Sequence, residues 1–101
     1  MGNFIKAAGK TDIPEGHGKV VTLEENAVAL FNVGGTFHAI DNTCKHRGGP
    51  LGEGELDASQ VTCPWHGWQY NVTTGECMTT PGLTQKKYNV KVEGDDVLIE
   101  I

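Results

Sequence analysis

The stretch from Cys44 to Gly67 constrains this chain more than any other. It reads Cys44-Lys45-His46-Arg47-Gly48-Gly49-Pro50-Leu51 and, further on, Cys63-Pro64-Trp65-His66-Gly67, with 16 residues between His46 and Cys63. Two of the three cysteines and two of the four histidines fall here, as two halves with one thiol and one imidazole each. These side chains bind borderline and soft metals, so Cys44, His46, Cys63 and His66 read first as a metal site. Each must be deprotonated or neutral to bind, and each loop must bend sharply to present two side chains at once. Gly48, Gly49 and Gly67 permit that bending, while Pro50, Pro64 and Pro81 stiffen the loops by fixing φ. One competing reading is ordinary buried cysteines beside incidental loop histidines. Another is a zinc-stabilised binding module with a Cys2His2 site. Zinc sites usually place like ligands together, whereas each half here mixes them.

A chain of 101 residues is near the commonest domain size, so one domain over 1–101 is expected. Fourteen glycines suit short strands and tight loops. The net charge of −5 argues against nucleic acid, which is bound by clustered Lys and Arg, and suits docking onto a basic protein surface. No run reaches the length of a transmembrane helix. Met1 to Lys6 lacks an apolar signal core, and Lys6 stands where a myristoylation motif wants Ser or Thr, so a cytoplasmic location is expected. With two cysteines assigned to the site, an odd count argues against a disulfide framework. Asn71-Val72-Thr73 matches a glycosylation acceptor, read as coincidence in such a context.

In chain order, Phe4 to Ala8 reads as a first strand and Thr11 to Gly16 as a turn. Lys19 to Leu23 and Ala27 to Val33 are strands joined by Glu24-Glu25-Asn26. In the second, Val28 and Leu30 face one way, Phe31 and Val33 the other. Gly34-Gly35 signals a hairpin, with Thr36 to Ile40 returning. Gly52 to Ser59 reads as a polar surface connection. Gln60 to Thr62 leads to Cys63, Trp68 to Val72 is a strand, and Thr73 to Glu76 turns the chain. Two last strands, Tyr88 to Glu93 and Val97 to Ile101, flank Gly94-Asp95-Asp96. No window carries a convincing amphipathic helix. The fold class is therefore all-β, a small antiparallel sandwich or barrel.

The C-x-H and C-x-x-H halves closely resemble the Rieske family, whose centres hold two irons and two sulfides with histidines replacing cysteines on one iron. The likeness continues through Gly48-Gly49-Pro50-Leu51, Trp65-His66-Gly67-Trp68, Pro81-Gly82 and the opening Phe4 to Val21, and it is closest to soluble Rieske-type ferredoxins. It implies a cluster-binding loop subdomain within about 42–83. It also implies one [2Fe–2S] cluster, with Cys44 and Cys63 on the inner iron and His46 and His66 on the outer. The respiratory quinol-oxidising branch joins its loops by a disulfide at positions that here are Gly49 and Trp65. It aims a serine hydroxyl at the cluster where this chain has Trp68, and its tyrosine is matched by Tyr70.

Around the motif, Trp65, Trp68 and Leu51 either shield a cluster from water or, for Trp68, form core. Cys77 reads as a small buried hydrophobe, and His17 and His38 as surface and strand histidines. Glu53, Glu55 and Asp57 read as a solvated loop or a docking surface; Lys45 and Arg47 either pair with a partner's carboxylates or are simply exposed. The resemblance implies a monomeric one-electron carrier and not an enzyme. It would run between a flavin-dependent reductase and a terminal oxygenase, or alternatively as a small subunit associated with nitrite reductase.

Overall fold

The computed structural model describes residues 3–45, 48–65 and 67–101. Its elements are β1 (Phe4–Gly9), β2 (His17–Leu23), β3 (Asn26–Val33), β4 (Thr36–Asp41), a 3-10 turn (Leu51–Glu53), β5 (Glu55–Asp57), β6 (Gln60–Thr62), β7 (Gln69–Asn71), β8 (Lys87–Tyr88), β9 (Val90–Glu93) and β10 (Asp96–Glu100). They form three antiparallel sheets in the orders β1-β10-β9, β2-β3-β4-β8 and β5-β6-β7. The all-β expectation holds.

Local chemistry sets the hairpins. Gly34 and Gly35 take φ of +59° and +95° between β3 and β4, the left-handed geometry that matches strand twist and costs glycine little. The β2–β3 turn does the same with Glu24 and Glu25, at +48° and +72°. There Asn26 compensates: its side-chain amide donates to the Leu23 and Glu24 carbonyls at 3.2 and 3.3 Å.

β3 is buried on both faces, and it separates two apolar clusters. Val28 and Leu30 enter the first, with Val21, Leu23, Phe37, Val97 and Ile99. Ala29 and Phe31 enter the second, with Ile40, Leu51, Val61, Tyr70, Val72 and all three cysteines. The period-two reading of this strand is thus confirmed, and its second face is the floor of the predicted metal site.

Two expectations need correction. Gly52 to Ser59 is not a loose connection. Leu51 and Gly52 are buried in the 3-10 turn, Gly54 approaches the Thr62 backbone so closely that a Cβ would lie 2.2 Å from its carbonyl oxygen, and Glu55–Asp57 pairs with β6. Leu56 is the single apolar residue among acids, so the strand had too short a pattern to be read. Nor is Tyr88 to Glu93 one strand. Lys87–Tyr88 pairs with β4, and Val90–Glu93 pairs with β10 in another sheet. Val92 continues the alternation, but β9 is a sheet edge and leaves it 43% exposed.

Candidate metal centre

Each predicted ligand loop is a tight excursion closed at its cysteine. In the first, Cys44 N–H donates to the Gly49 carbonyl at 2.9 Å and Gly48 N–H to the Cys44 carbonyl at 2.8 Å, with Gly48 at φ +76°. One step out, Thr43 bridges Pro50, and Leu51 N–H donates to the Asn42 carbonyl at 2.9 Å. Buried Asn42 also accepts from Gly52 N–H through its side chain at 2.8 Å. In the second loop Cys63 N–H donates to the Trp68 carbonyl at 2.7 Å, and Gly67 turns at φ +75°.

The two loops bring Cys44 and Cys63 together. Both are 2% exposed, and their thiols interact directly. Burial pushes the Cys63 thiol up, the neighbouring Cys44 thiol adds to this, and the Trp65 backbone N–H pulls the other way. Tyr70 reaches the same point from β7. Its hydroxyl accepts from Lys45 N–H at 3.1 Å and lies 3.4 Å from Cys44 Sγ. Either atom could donate between two neutral groups, but a metal-bound Cys44 thiolate has no hydrogen, so the hydroxyl would then donate to the sulfur. Burial, then Cys44, pushes the Tyr70 hydroxyl well above its ordinary value, so it stays a donor at physiological pH.

Gly49 is the point of contact between the loops. A Cβ there would sit 2.6 Å from Cys63 Sγ and 3.1 Å from Trp65 Cβ. The first loop therefore approaches Cys63 this closely only because residue 49 has no side chain. Two adjacent buried thiols, donors aimed at both sulfurs and a cradle that a Cβ would fill together fit a thiolate-bound metal group. The same contact brings Gly49 close to Trp65, and none of the three cysteines forms a disulfide.

His46, Arg47 and His66 lie outside the described residues, and among the described residues no group of three ligand-type side chains is gathered. His17 is exposed on β2. His38 is half-buried on β4, where burial and then Lys87 lower its pKa. Trp68 is half-buried against the second apolar cluster, and Leu51 is fully buried in it, so both act as core. Trp65 is 50% exposed at the rim. Cys77 is buried, as expected, and its sulfur accepts from Thr80 N–H at 3.3 Å. Glu53, Glu55 and Asp57 line a concavity of about 600 Å3 that reaches Cys63, Pro64 and Gly67. Lys45 is exposed. The Asn71-Val72-Thr73 motif has a structural explanation: Asn71 Oδ1 accepts from Thr73 N–H and Oγ1 at 2.9 and 2.6 Å, an Asx turn ending β7. Sequence reasoning missed Gln85, a polar residue in a polar stretch that the fold buries beside the first loop.

An antiparallel β protein carrying paired thiols on two glycine-bent loops belongs to the class of cluster-binding electron carriers. Residues 3–98 match the Rieske [2Fe–2S] domain, and the chain belongs to that family. The ferredoxin component of the naphthalene 1,2-dioxygenase system of Pseudomonas aeruginosa is 37% identical over 100 residues, covering 97% of this chain and 95% of that one. Among solved structures, a ferredoxin of Sphingomonas yanoikuyae B1 superposes with a TM-score of 0.89 at 29% identity, over 98% of this chain and 99% of that chain. A chain of the complex of reduced oxygenase and oxidised ferredoxin in carbazole 1,9a-dioxygenase gives 0.89 at 29%, over 96% and 92%. The protein is a one-electron carrier with a Rieske-type [2Fe–2S] cluster, an electron-transfer component and not a catalyst.

Proposed function

We propose that Cys44 and Cys63 hold the inner iron of the cluster and His46 and His66 the outer one, and that the chain takes one electron from a flavin-dependent reductase and gives it to a terminal oxygenase. The cluster, when bound, supplies a centre that gains and loses one electron with little change in ligand geometry. The observation that carries the ligand reading is the direct approach of two buried thiols from loops 19 residues apart in sequence. Around it, Tyr70 and the Trp65 N–H direct positive dipoles at the sulfurs, and Leu51, Val61 and Tyr70 keep water from that side.

The partner reading draws on relatives that are named as dioxygenase ferredoxin components and on the ferredoxin–oxygenase complex. The charge of −5 suits steering onto a basic surface. The chain acts as a monomer in the cytoplasm, and among the described residues no helix is long and apolar enough to cross a membrane. Metal and sulfide analysis with an absorption spectrum tests the reading: coloured protein with equal iron and acid-labile sulfide supports it, and stoichiometric zinc without visible absorbance ends it. His46→Ala and His66→Ala are expected to lose the cluster and to be less stable, because metal binding and folding are coupled. His17→Ala and His38→Ala are expected to keep it; the reverse pattern overturns the ligand assignment. Electron delivery from a flavin-dependent reductase to a terminal oxygenase, followed with purified components, checks the partners.

A further inference from the structure

Gln85 is one of the largest fully buried side chains, at 1% exposure, although it stands between Thr84 and two lysines. Its side-chain amide nitrogen donates to the carbonyls of Asp41 at 3.0 Å and Thr43 at 2.6 Å, 44 and 42 residues earlier in the chain. Both amide hydrogens are therefore spent on the backbone that leads directly into Cys44. The main chain around Gln85 is pinned as well. Its N–H donates to the Gly75 carbonyl at 2.7 Å, its own carbonyl fills the place where a Gly75 Cβ would be, and the neighbouring Lys86 carbonyl accepts from Asp41 N–H at 2.8 Å. Three segments meet here: the approach to Cys44, the turn after β7 and the start of β8.

The other end of the amide has a cost. Oε1 is buried and has no hydrogen-bond partner among the described residues. Turning the amide over would set that oxygen against two carbonyl oxygens, so only the observed orientation bonds. A bare buried acceptor forfeits its bonds to water without replacement, and such a group in a folded protein calls for an explanation. What the arrangement secures is the position of two carbonyl anchors, Asp41 and Thr43, just before a proposed ligand.

We infer that Gln85 is a positioning residue of the metal centre. Its amide holds the Asp41 and Thr43 carbonyls and so fixes the backbone from which Cys44 presents its thiol to Cys63. The inference rests on the reading of Cys44 as a ligand. It acts in the way that residues behind the ligands of metal sites do, where losing one typically costs about 10–100-fold in affinity.

Gln85→Met keeps the length and bulk of the side chain and removes both donors. In cluster-loaded protein, iron release to a chelator is expected to be about tenfold faster, with shifted or broadened g-values in the reduced state. Ile99→Val, in the first apolar cluster, is the control: it lowers Tm and leaves release and g-values unchanged. Parent-like release and g-values in Gln85→Met overturn the inference. So does an Ile99→Val protein that, at equal loss of Tm, releases iron as fast. If Gln85→Met does not fold, Gln85→Asn is the second variant. One methylene shorter, it cannot reach both carbonyls, and parent-like release there overturns the inference equally. Cys44→Ser with the parent's spectrum overturns the ligand assignment and the Gln85 inference with it, whereas a parent-like Gln85→Met overturns the latter alone.

Discussion

Tyr70 shows how much one side chain can set in this site. Its ring fills the second apolar cluster, and its hydroxyl couples the Lys45 N–H to the Cys44 sulfur. A hydrogen bond to a sulfur stabilises an added electron, because negative charge on the sulfur grows on reduction. Tyr70→Phe keeps the ring and deletes the bond. Only the part of the bond gained on reduction shifts the potential; with a whole bond of about 1 kcal/mol, or roughly 40 mV for one electron, the potential is expected to fall by up to about that amount. Redox titration of parent and variant under one condition measures it, and an unchanged potential would mean that the phenol serves packing alone.

At the scale of elements, the two ligand loops hold each other through contact rather than a covalent bridge. By the resemblance Gly49 and Trp65 stand where the quinol-oxidising branch has its disulfide, and here the missing Cβ lets the loops close. Gly49→Ala would place a carbon 2.6 Å from Cys63 Sγ, closer than real Cβ atoms come. The second loop must then shift, and the expected result is a cluster lost on purification, with overpacking costing about 1–3 kcal/mol. Iron per chain and thermal unfolding of Gly49→Ala check this. Gly34→Ala is the comparison, strained in φ but with open space around it, and it is expected to keep its iron. The loops are anchored below by β3, whose Ala29 and Phe31 face them while Val28 and Leu30 hold the opposite cluster.

For the whole molecule, the decisive quantity is the reduction potential. Neutral imidazoles in place of two thiolates raise a Rieske centre above plant-type ferredoxins, over about −150 to +300 mV. Donors that the described residues bring to the sulfurs include the Tyr70 hydroxyl and the Trp65 N–H; by the resemblance, Trp68 stands where the quinol-oxidising branch has a serine, and Gly49 and Trp65 stand where it has its disulfide. The potential is therefore expected near the bottom of the range, on the order of −150 mV. A carrier there accepts electrons from a flavin and is a poor oxidant for quinol. A clearly positive midpoint at neutral pH would overturn both the estimate and the choice of partner.

Much of this was legible in the chain itself. The Cys and His types and their spacing marked the metal chemistry because ligand identity is a property of single residues. The strand alternation of β3 and the Gly34-Gly35 turn were readable because both are set by neighbours a few residues away. Folding alone decided the rest. Glu55–Asp57 became a strand only because β6 lies beside it, and Tyr88 parted from Val90 because each found a different sheet. Tyr70 meets Cys44 across 26 residues, and Gln85 meets Asp41 across 44. No local pattern encodes such meetings, since they depend on where the strands place distant segments, and that placement is what turns two loops into one site.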